Sequence, residues 1–457
     1  MNRFVSTLLL FLSFTSIISA AEPTWKAGFA AVAITPTEPM WMSGYAARTK
    51  PSEGKDTELW AKVMVLEDAK KHQAILVTLD LVGLNRDYAV KIRETIIARD
   101  KDRLTMQNVA ISMSHTHSGP VVGTTLRSMY FIDAEQSKKV DDYSAKLPNL
   151  ILQAVDQARK NLQPATVTWG VGICGFAVNR RENKEPEVPK LRAEGKELKG
   201  PSDHDSAVLA VRGEQGKLLG VVFGYACHAT TLDYYKWSGD YPGYAMMELE
   251  KSNPGAIAMF SAGCGADQNP IPRRSVELAK DYGQQLATSV NAVLAKPMKP
   301  LAPAFGGLFS ELAIPLESIP TRDALVQEST STNKYIAARA KHLLKKLEAE
   351  GELRITVPYP VQTWQIGELS WVFLGGEVVV DYALRLKKEL GPNLWVTGYA
   401  NDVMAYIPSV RVLKEGGYEG GGAMVYYGIP SAWSPKVEEM ILDEVHRKVK
   451  VTRRDVK

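Results

Sequence analysis

An apolar run, Val109-Ala110-Ile111-Ser112-Met113, continues directly into Ser114-His115-Thr116-His117-Ser118-Gly119-Pro120. The apolar run has the length and composition of a buried strand, and the two histidines stand two residues apart where it ends. Side chains two residues apart on a strand point to the same face, so both imidazoles would converge on one point. Imidazole is the commonest protein ligand for zinc. The pair indicates a metal site, although a pattern this short is weak evidence taken alone.

Further apolar runs and helical periodicities continue along the chain. Seven more runs are typical of strands, at residues 30–34, 61–66, 74–79, 207–211, 219–225, 257–260 and 369–374. Six segments with a period near 3.6 predict helices, at residues 86–99, 136–161, 241–250, 275–294, 332–348 and 435–449. Residues 180–201, rich in Lys, Glu and Pro, predict a long surface loop. The mixture predicts an α+β or layered α/β fold, with stacked mixed β-sheets flanked by helices.

The first 21 residues are typical of a secretory signal peptide. They begin with Asn2-Arg3, continue with an apolar centre from Leu8 to Phe14, and end in the small residues Ser19-Ala20-Ala21. A retained N-terminal anchor is the alternative. No later segment has the roughly 20 apolar residues that a membrane span needs. We therefore expect residues 22–457 to form a soluble mature protein that is secreted or periplasmic.

Charge and cysteine content exclude some classes of protein. The net charge of +4 is small for 457 residues, which argues against nucleic acid as a partner. The three cysteines, Cys174, Cys227 and Cys264, are odd in number and lack CxxC spacing, so they do not form a disulfide framework. We expect them to be buried small apolar residues, and a disulfide between two of the three is the alternative.

Several single residues are candidates for the same site, each with a structural alternative. His228 ends an apolar run, where active-site residues gather in sheet enzymes, but it could equally be a satisfied core histidine. Asp240 is either a helix N-cap or a carboxylate that orients a ligand histidine. Glu377 follows a strand and is either metal-bound or a first-turn helix acid. Tyr406 and Tyr418, taken singly, are more typical of structural roles.

Taken together, these segments resemble the neutral (non-lysosomal) ceramidase family of zinc amidases, from about Trp25 to His446. The order and spacing of the matching segments carry the resemblance. They are Gly28 to Thr35, Met42-Ser43-Gly44-Tyr45, Ser114 to Pro120, Asn179-Arg180, His228 with Ser238-Gly239-Asp240, Gly375-Gly376-Glu377, Asn401 with Tyr406, and Tyr418-Glu419-Gly420.

The resemblance implies a role for each matching site residue. Four of them would bind zinc: His115, His228, Glu377 and Tyr406. Three more would hold and polarise the carbonyl group of the substrate: His117, Arg180 and Tyr418. A set of two histidines, a glutamate and a tyrosine would also accept manganese or iron.

The chain departs from the family pattern in two places. Ceramidases carry a nucleophilic serine in Gly-Asp-Val-Ser-Pro-Asn, and the matching stretch here is Gly265-Ala266-Asp267-Gln268-Asn269-Pro270. Gln268 stands at the serine position and cannot act as a nucleophile, whereas Asp267 beside it could serve as a general base. Ceramidases also end in an immunoglobulin-like domain, for which residues 22–457 leave no room. We therefore expect a ceramidase-like hydrolase domain alone, with a substrate that need not be ceramide.

The function predicted from these observations is that of an exported zinc-dependent hydrolase. It would cleave an amide or ester bond of a small-molecule or lipid-like N-acyl substrate through metal-activated water, with Asp267 or Glu377 assisting proton transfer. Peripheral contact with a membrane is compatible with such a substrate, and no protein partner is expected. One alternative is an exported metal-containing binding protein that has lost catalysis. Another is a displaced nucleophile at Ser114, Ser118 or Ser261.

Overall fold

A computed structural model describes residues 25–456, which form strands and helices along their whole length. The predicted signal peptide, residues 1–21, lies outside the described residues. In chain order the strands are β1 (Trp25–Ala33), β2 (Gly54–Lys55), β3 (Trp60–Glu67), β4 (Gln73–Leu79), β5 (Val109–Met113), β6 (Gln163–Ile173), β7 (Ala177–Asn179), β8 (Asp205–Arg212), β9 (Leu218–Tyr225), β10 (Lys236–Trp237), β11 (Ile257–Ala262), β12 (Gln268–Pro270), β13 (Lys299–Pro300), β14 (Phe305–Pro315), β15 (Thr356–Ile366), β16 (Leu369–Leu374), β17 (Glu377–Val378), β18 (Leu394–Thr397) and β19 (Tyr406–Ile407). The α-helices are α1 (Arg86–Ile97), α2 (Ala134–Lys160), α3 (Val188–Ala193), α4 (Asp240–Ser252), α5 (Val276–Leu294), α6 (Arg322–Glu328), α7 (Lys334–Glu350), α8 (Val380–Leu390), α9 (Val410–Glu415), α10 (Met424–Tyr427) and α11 (Val437–Asp455).

The larger sheet has nine strands in the order β11-β9-β8-β6-β1-β3-β4-β5, with β13 beside β6. The pairs β4–β5 and β9–β11 are parallel, and the other pairs are antiparallel. Strand β5 is buried at every position, which explains its continuous apolar sequence, because a strand covered on both faces needs no polar alternation. Helices α1, α2, α4 and α5 cover one face of this sheet.

The smaller sheet has four strands in the order β14-β15-β16-β18, in which only β16 and β18 pair in parallel. Helices α8 and α11 cover its outer face. Its inner face packs on the larger sheet through aromatic side chains, among them Trp364, Trp371 and Trp395. The rings of Trp371 and Trp395 are stacked, with centroids 3.9 Å apart and planes 6° from parallel. The protein is therefore a layered α/β/β/α structure of mixed sheets flanked by helices, which confirms the predicted fold class.

The segment after β18 joins the two edge strands of the larger sheet. Gly398 N donates to the Ala262 carbonyl at the end of β11 (3.0 Å), and Asn401 N donates to the Ile111 carbonyl of β5 (2.8 Å). The edge strands β5 and β11 also meet through Ser112 Oγ and Ser261 Oγ, 3.1 Å apart. Because the chain from the smaller sheet runs between these edges, the ends of β5, β9 and β18 converge in one region.

All eight predicted strands and all six predicted helices are present, with ends that shift by a few residues. The sequence patterns do not predict four of the longer strands, β6, β14, β15 and β18, or five of the helices, α3, α6, α8, α9 and α10. Strand β14 begins Phe-Gly-Gly and is half-buried along most of its length, and β15 contains two prolines, Pro358 and Pro360, so neither shows an apolar run at its start. In both cases the pairing partner, and not local sequence preference, stabilises the strand.

The predicted surface loop at residues 180–201 is wrong in part, because it contains helix α3. Val188, the first residue of that helix, is fully buried against Val178 and Ile271. Asn183 further fixes the segment, since its amide donates to the carbonyls of Asn179 and Lys199 (2.8 Å each). A single buried valine in a Lys/Glu/Pro-rich stretch gives no periodicity from which a helix could be predicted.

Two other predictions concern cysteines and membrane helices. Cys174, Cys227 and Cys264 are all buried and free, as expected of small apolar residues, and none of them forms a disulfide with another. Within residues 25–456, none of the helices combines the length and the apolar content that crossing a bilayer requires.

Candidate metal and active site

The His115/His117 pair lies beyond the end of β5 and not on it, which corrects the prediction that both side chains share a strand face. Strand β5 ends at Met113, and His115 has a left-handed backbone with φ of 59°. The two imidazoles nevertheless converge, since their Nε2 atoms are 3.2 Å apart. His115 Nδ1 donates to the Val82 carbonyl oxygen (2.5 Å), so its Nε2 is left as a lone pair that points into the site.

His228 follows β9 and is oriented in the same way. Its Nδ1 donates to the Gly265 carbonyl oxygen (2.8 Å), which again leaves Nε2 free to act as a ligand. The predicted alternative for Asp240, a carboxylate that orients this histidine, does not hold. Asp240 instead accepts hydrogen bonds from the backbone N–H groups of Leu232 (2.9 Å) and Tyr241 (2.6 Å) at the start of α4.

Glu377 and Tyr406 stand opposite each other in the short parallel pair β17–β19. Glu377 Oε2 lies 3.0 Å from His228 Nε2 and 3.1 Å from His115 Nε2. Tyr406 Oη lies 3.3 Å from His228 Nε2. Gly376 makes this approach feasible: its φ is 75°, and a Cβ there would lie 2.7 Å from the Ala405 carbonyl oxygen.

The chemistry of these donors fits a divalent cation. Two imidazole lone pairs and a carboxylate oxygen meet at 3.0–3.1 Å, a contact between acceptors that is repulsive unless a cation lies between them. Ligand atoms of tetrahedral zinc lie about 3.3 Å apart, given Zn–N bonds of about 2.0–2.1 Å. The ring nitrogens of His115, His117 and His228 all fall within 4.8 Å of one another, so three histidines are available.

The electrostatics of the site favour the metal-binding forms of these groups. Burial lowers the pKa of His228 to about 4 and holds the pKa of His117 well below its usual value, so both imidazoles are neutral near pH 7. Burial alone would raise the pKa of Glu377, but protons on His115 and His228 that face the carboxylate outweigh it and hold that pKa well below its usual range, as a bound cation would. Neutral imidazole and ionised carboxylate are the forms that bind metal.

His117 differs from the other two histidines in the bonding of its ring. Its Nδ1 is buried and has no hydrogen-bond partner among the described residues. The ring packs against Tyr45 with centroids 4.7 Å apart, and Arg48 donates to the His117 carbonyl (2.7 Å), so the backbone is held while the imidazole keeps an open nitrogen. A ligand histidine usually has an oriented second nitrogen. This difference separates His117 from His115 and His228.

Arg180 reaches the site through Tyr406. Its Nη2 donates to Tyr406 Oη (3.1 Å), its Nη1 donates to Asn269 Oδ1 (3.2 Å), and its Nε donates to Glu419 Oε1 (2.8 Å). Tyr418, 44 % exposed, lies at the surface end of this group with its ring 5.2 Å from that of Tyr406. Arg180 and His228 therefore contact the same hydroxyl of Tyr406, and Tyr418 packs against the ring of Tyr406.

Comparison with known proteins identifies the family. Residues 25–267 match the family described as neutral/alkaline non-lysosomal ceramidase, N-terminal. The chain belongs to this ceramidase family. The match confirms the family that the sequence motifs resemble.

The relatives of this ceramidase-family chain are distant and longer. It is 26% identical to neutral ceramidase 1 of Arabidopsis thaliana over 305 residues, which cover 65% of this chain and 38% of that protein. It is 25% identical to the neutral ceramidase of Drosophila melanogaster over 251 residues, 54% of this chain and 35% of the relative. The crystal structure of neutral ceramidase from Pseudomonas aeruginosa superposes with a TM-score of 0.73 at 17% identity, covering 95% of this chain and 75% of that one. The chain thus spans well under half of these curated relatives.

Asp267 and Gln268, which the sequence resemblance predicts to stand at the ceramidase serine motif, have side chains that are bonded to other parts of the fold. Asp267 accepts hydrogen bonds from Val380 N (2.9 Å) and Asn179 Nδ2 (3.3 Å), and burial raises its pKa to about 6. Gln268 accepts from Asp203 N (3.0 Å) and donates to the Ala226 carbonyl oxygen. Among the hydrogen bonds of residues 25–456, neither side chain reaches the histidines or Glu377, although the Asp267 carbonyl oxygen accepts a hydrogen bond from Arg180 N (2.8 Å).

The three serines predicted as alternative nucleophiles, Ser114, Ser118 and Ser261, lie in different parts of the structure. Ser261 Oγ bonds Ser112 Oγ and Thr397 Oγ1 (3.1 Å each) between the two sheets, away from the histidines. Ser114 Oγ and Ser118 Oγ are buried and have no hydrogen-bond partner in the described part of the chain. These two serines flank the His115/His117 segment.

Sequence reasoning missed three side chains that complete the site. Tyr427 donates its phenolic hydrogen to Glu377 Oε1. Tyr399 packs its ring on His115 with centroids 4.3 Å apart, and Glu419 bonds Arg180. Tyr427 belongs to the four-residue helix α10, which has no periodicity to detect. Glu419 lies in the Tyr418-Glu419-Gly420 segment that resembles ceramidases, but nothing in the local sequence indicates that it bonds Arg180.

Proposed function

We propose that this ceramidase-family protein is an exported zinc-dependent hydrolase that cleaves the amide bond of an N-acyl, lipid-like or small-molecule substrate. The observation that supports the proposal most is that His115 Nε2 and His228 Nε2 both lie within 3.1 Å of Glu377 Oε2, at the buried end of the parallel strands. A site built only for structural stability would not need the further polar groups His117, Arg180 and Tyr418 beside it.

Four side chains of this chain would hold the metal: His115, His228, Glu377 and Tyr406. When bound, a divalent cation supplies Lewis-acid polarisation of a carbonyl and lowers the pKa of water toward neutrality. The donor set suits zinc best, because nitrogen ligands with fixed tautomers and one carboxylate form a tetrahedral site. Manganese and iron accept the same ligands and are distinguished by elemental analysis.

The remaining polar residues would act on the substrate. His117 is neutral and its Nε2 faces the site, 3.2 Å from His115 Nε2, so this nitrogen can accept a proton from an attacking water and pass it to the leaving amine. Arg180 keeps N–H groups of Nη1 and Nη2 that are not used by Asn269 and Tyr406, and these can donate to the developing oxyanion. Tyr418 would close the same side of the substrate carbonyl. Because both carboxylate oxygens of Asp267 are already bonded, we assign proton transfer to His117 and not to Asp267.

The absence of a serine at position 268 favours direct attack by water over an acyl-serine pathway. Gln268 has no nucleophilic atom and its amide is bonded at both ends. Trapping experiments with slow N-acyl substrates test this point, since no covalent acyl intermediate is expected. An acyl group found on Ser114 or Ser118 would overturn water attack and support a displaced nucleophile.

A second candidate is an exported metal-containing binding protein that no longer catalyses a reaction. The specific observation in its favour is Gln268 at the serine position. The two candidates differ in turnover, because a binding protein would hold metal and substrate analogue without releasing a product.

The experiment compares metal content and turnover in matched variants. Purified protein is analysed for zinc, manganese and iron, and then assayed on N-acyl and ester substrates with and without chelator. We expect His228→Ala to lose both metal and turnover, and His117→Gln to retain metal but lose turnover by about 10²–10⁴-fold. His446→Ala, on the exposed face of α11, is the control and should match the wild type.

Two experimental results would contradict the proposed hydrolase, each in a different way. An active His228→Ala protein without metal would contradict the metal-dependent hydrolase. A wild-type protein that binds metal stoichiometrically but turns over none of the substrates would favour the binding protein. The mass of the exported protein tests the signal peptide separately, because cleavage after Ala21 leaves Glu22 as the first residue.

A further inference from the structure

The imidazole of His117 is oriented differently from those of the other two site histidines. His115 and His228 each donate from Nδ1 to a backbone carbonyl oxygen, at 2.5 and 2.8 Å. The Nδ1 of His117 has no such partner within residues 25–456. Its Nε2 nevertheless lies 3.2 Å from His115 Nε2, inside the site. The orientation of the His117 ring must therefore come from packing and from the bonds of its own backbone.

Residues 42–48 pack against the His117 ring. Gly44 has a φ of 95° and lies so close that a Cβ at this position would overlap the imidazole. The ring of Tyr45 lies 4.7 Å from the imidazole, measured between centroids. Gly44 N donates to Tyr130 Oη (2.9 Å), which ties this part of the segment to the chain that follows the histidines. Gly44 and Tyr45 thus confine the ring of His117 for as long as residues 42–48 keep their position.

Arg48 joins this segment to the backbone of His117. Its Nη2 donates to the His117 carbonyl oxygen (2.7 Å), and its Nη1 donates to the Tyr234 carbonyl oxygen (2.9 Å). The guanidinium therefore connects residues 42–48, the turn after β5 and the segment before β10. On its other side, His117 N donates to the Ala229 carbonyl oxygen (3.3 Å). Arg48 supplies the side-chain bond that fixes the His117 carbonyl.

Arg48 is buried without a counter-ion. It is 7 % exposed, and none of the carboxylates of residues 25–456 lies within 4.0 Å of its guanidinium, whose polar partners are backbone carbonyls and the Met42 sulfur. The rings of Tyr45 and Tyr235 lie over it, with centroids 5.3 Å from Cζ. Burying a cation away from an anion costs stability, and an apolar side chain often fills such a place at least as well. What the guanidinium adds is its pair of bonds, one of which holds His117.

We propose that Arg48 is a positioning residue, which holds His117 where Nε2 can move a proton from the attacking water to the leaving amine. This role depends on the proposed hydrolase function, in which His117 transfers that proton. Such a transfer needs donor and acceptor within about 2.6–3.2 Å of each other. A displacement of about 1 Å in a reacting group can cost roughly 100-fold in rate. The bonds of Arg48 therefore bear on the rate of the reaction although Arg48 touches no reacting atom.

Arg48→Lys tests this role, because an ammonium group keeps the charge but lacks the planar fork that reaches both carbonyl oxygens. We expect kcat on N-acyl substrates to fall about 100-fold. The KM and the metal content should remain those of the wild type, because His115 and His228 are oriented by the carbonyls of Val82 and Gly265 and not by Arg48. Steady-state kinetics and elemental analysis measure these quantities.

Arg93→Lys is the matched control. Arg93 is 1 % exposed, likewise has no carboxylate within 4.0 Å in the described part of the chain, and donates to the backbone carbonyl of Met106. It lies on α1, where it makes no hydrogen bond to the site histidines. This variant should lose thermal stability but keep the kcat of the wild type. An equal fall in kcat in both variants, an unchanged kcat in Arg48→Lys, or a change confined to KM would overturn the proposal.

Crystal structures of the wild type and of the two lysine variants test the geometry without a substrate. In Arg48→Lys the His117 imidazole should move relative to His115 by about 1 Å, the displacement that accounts for the expected loss of rate. In Arg93→Lys the imidazole should stay in place. An undisplaced His117 in Arg48→Lys would overturn the proposal, as would loss of metal, which would show that Arg48 acts on the ligands. A wild-type protein without turnover would contradict the hydrolase function, whereas a displaced His117 would still support its positioning by Arg48.

Discussion

Tyr427 and Glu377 are joined by a hydrogen bond from the phenolic hydroxyl to Oε1 of the carboxylate. The second oxygen, Oε2, faces His115 and His228 at 3.1 and 3.0 Å. Tyr427 therefore fixes the rotation of the carboxylate and leaves a single oxygen for a metal. Groups that bond a ligand in this way fix its orientation and so contribute to metal affinity.

Replacing Tyr427 by Phe should weaken metal binding by about 10–100-fold, because the carboxylate of Glu377 loses the bond that orients it. Competition with a chromophoric chelator measures the affinity. Tyr426→Phe is the matched control, since its hydroxyl makes no hydrogen bond within residues 25–456, and it should bind metal as the wild type does. Equal affinities in the two variants would show that the Tyr427 bond does not orient Glu377.

Replacing Glu419 by Gln should lower kcat about tenfold without changing metal content. Glu419 is 4 % exposed and accepts hydrogen bonds from both Arg180 (2.8 Å) and Arg181 (2.6 Å), so the variant loses the anion that directs Arg180 toward Tyr406. Steady-state kinetics with elemental analysis measures both quantities well below the unfolding temperature.

Glu415→Gln is the control for that prediction, because Glu415 bonds Arg181 and Arg411 but not Arg180. Its kcat should remain close to that of the wild type. A change confined to KM in Glu419→Gln, or an equal fall in kcat in both variants, would indicate a general structural effect and not the positioning of Arg180.

Replacing Gln268 by Ser should destabilise the protein without creating an acyl-enzyme. The Gln268 amide satisfies the buried Asp203 N–H and the Ala226 carbonyl, and serine is too short to reach both. Each buried backbone group left unpaired costs about 1–3 kcal/mol in the free energy of unfolding. Urea unfolding measures the loss, and mass spectrometry of the quenched reaction measures acylation. A stable variant that accumulates acyl-serine would contradict both parts of the prediction.

Asp267→Asn should change how stability depends on pH. The pKa of Asp267 is raised from 3.8 to about 6 by burial, so the folded state binds the proton more tightly than the unfolded state. The stabilisation from that proton is present below about pH 4 and is lost as pH rises toward about 6. Asparagine does not titrate, so the stability of the variant relative to the wild type should rise by about 3 kcal/mol between pH 4 and pH 7.

Urea unfolding at pH 4 and pH 7 measures the two free energies for Asp267→Asn. Asparagine keeps one acceptor for Val380 N but puts an amide next to Asn179, so the variant should be less stable than the wild type at pH 4. A stability difference that is the same at both pH values would show that Asp267 does not hold a proton in the folded state.

The convergence of the main site residues could be predicted because each stands just beyond a strand. His115 follows β5, His228 follows β9, and Glu377 follows β16, so the meeting of strand ends brings them together. The eight apolar runs were visible for the same reason: a strand covered on both faces has a continuous apolar sequence. Because both faces of such a strand must be apolar to be buried, the strand can be recognised from its sequence alone.

Other parts of the site depend on contacts that sequence does not encode locally. The left-handed backbone of His115 follows from how the chain leaves β5, and a non-glycine residue gives no sign of it. The bonding of Asp267 to Val380 joins residues 113 positions apart, so alignment could place Asp267 beside the serine position but not predict where its carboxylate points. Tyr427 likewise acquires its role only from the fold, which brings its hydroxyl to the Glu377 carboxylate.

The stacked indoles of Trp371 and Trp395 provide an intrinsic optical reporter of the interface between the two sheets. Both rings are buried, at 0 % and 3 % exposure, and their parallel arrangement at 3.9 Å permits strong coupling of their electronic transitions. The ring centroid of Trp169, from the opposite sheet, lies 5.5 Å from that of Trp395. Separation of the two sheets would therefore remove this contact and change the surroundings of both indoles. Near-ultraviolet circular dichroism can therefore follow the parting of the sheets without any attached label.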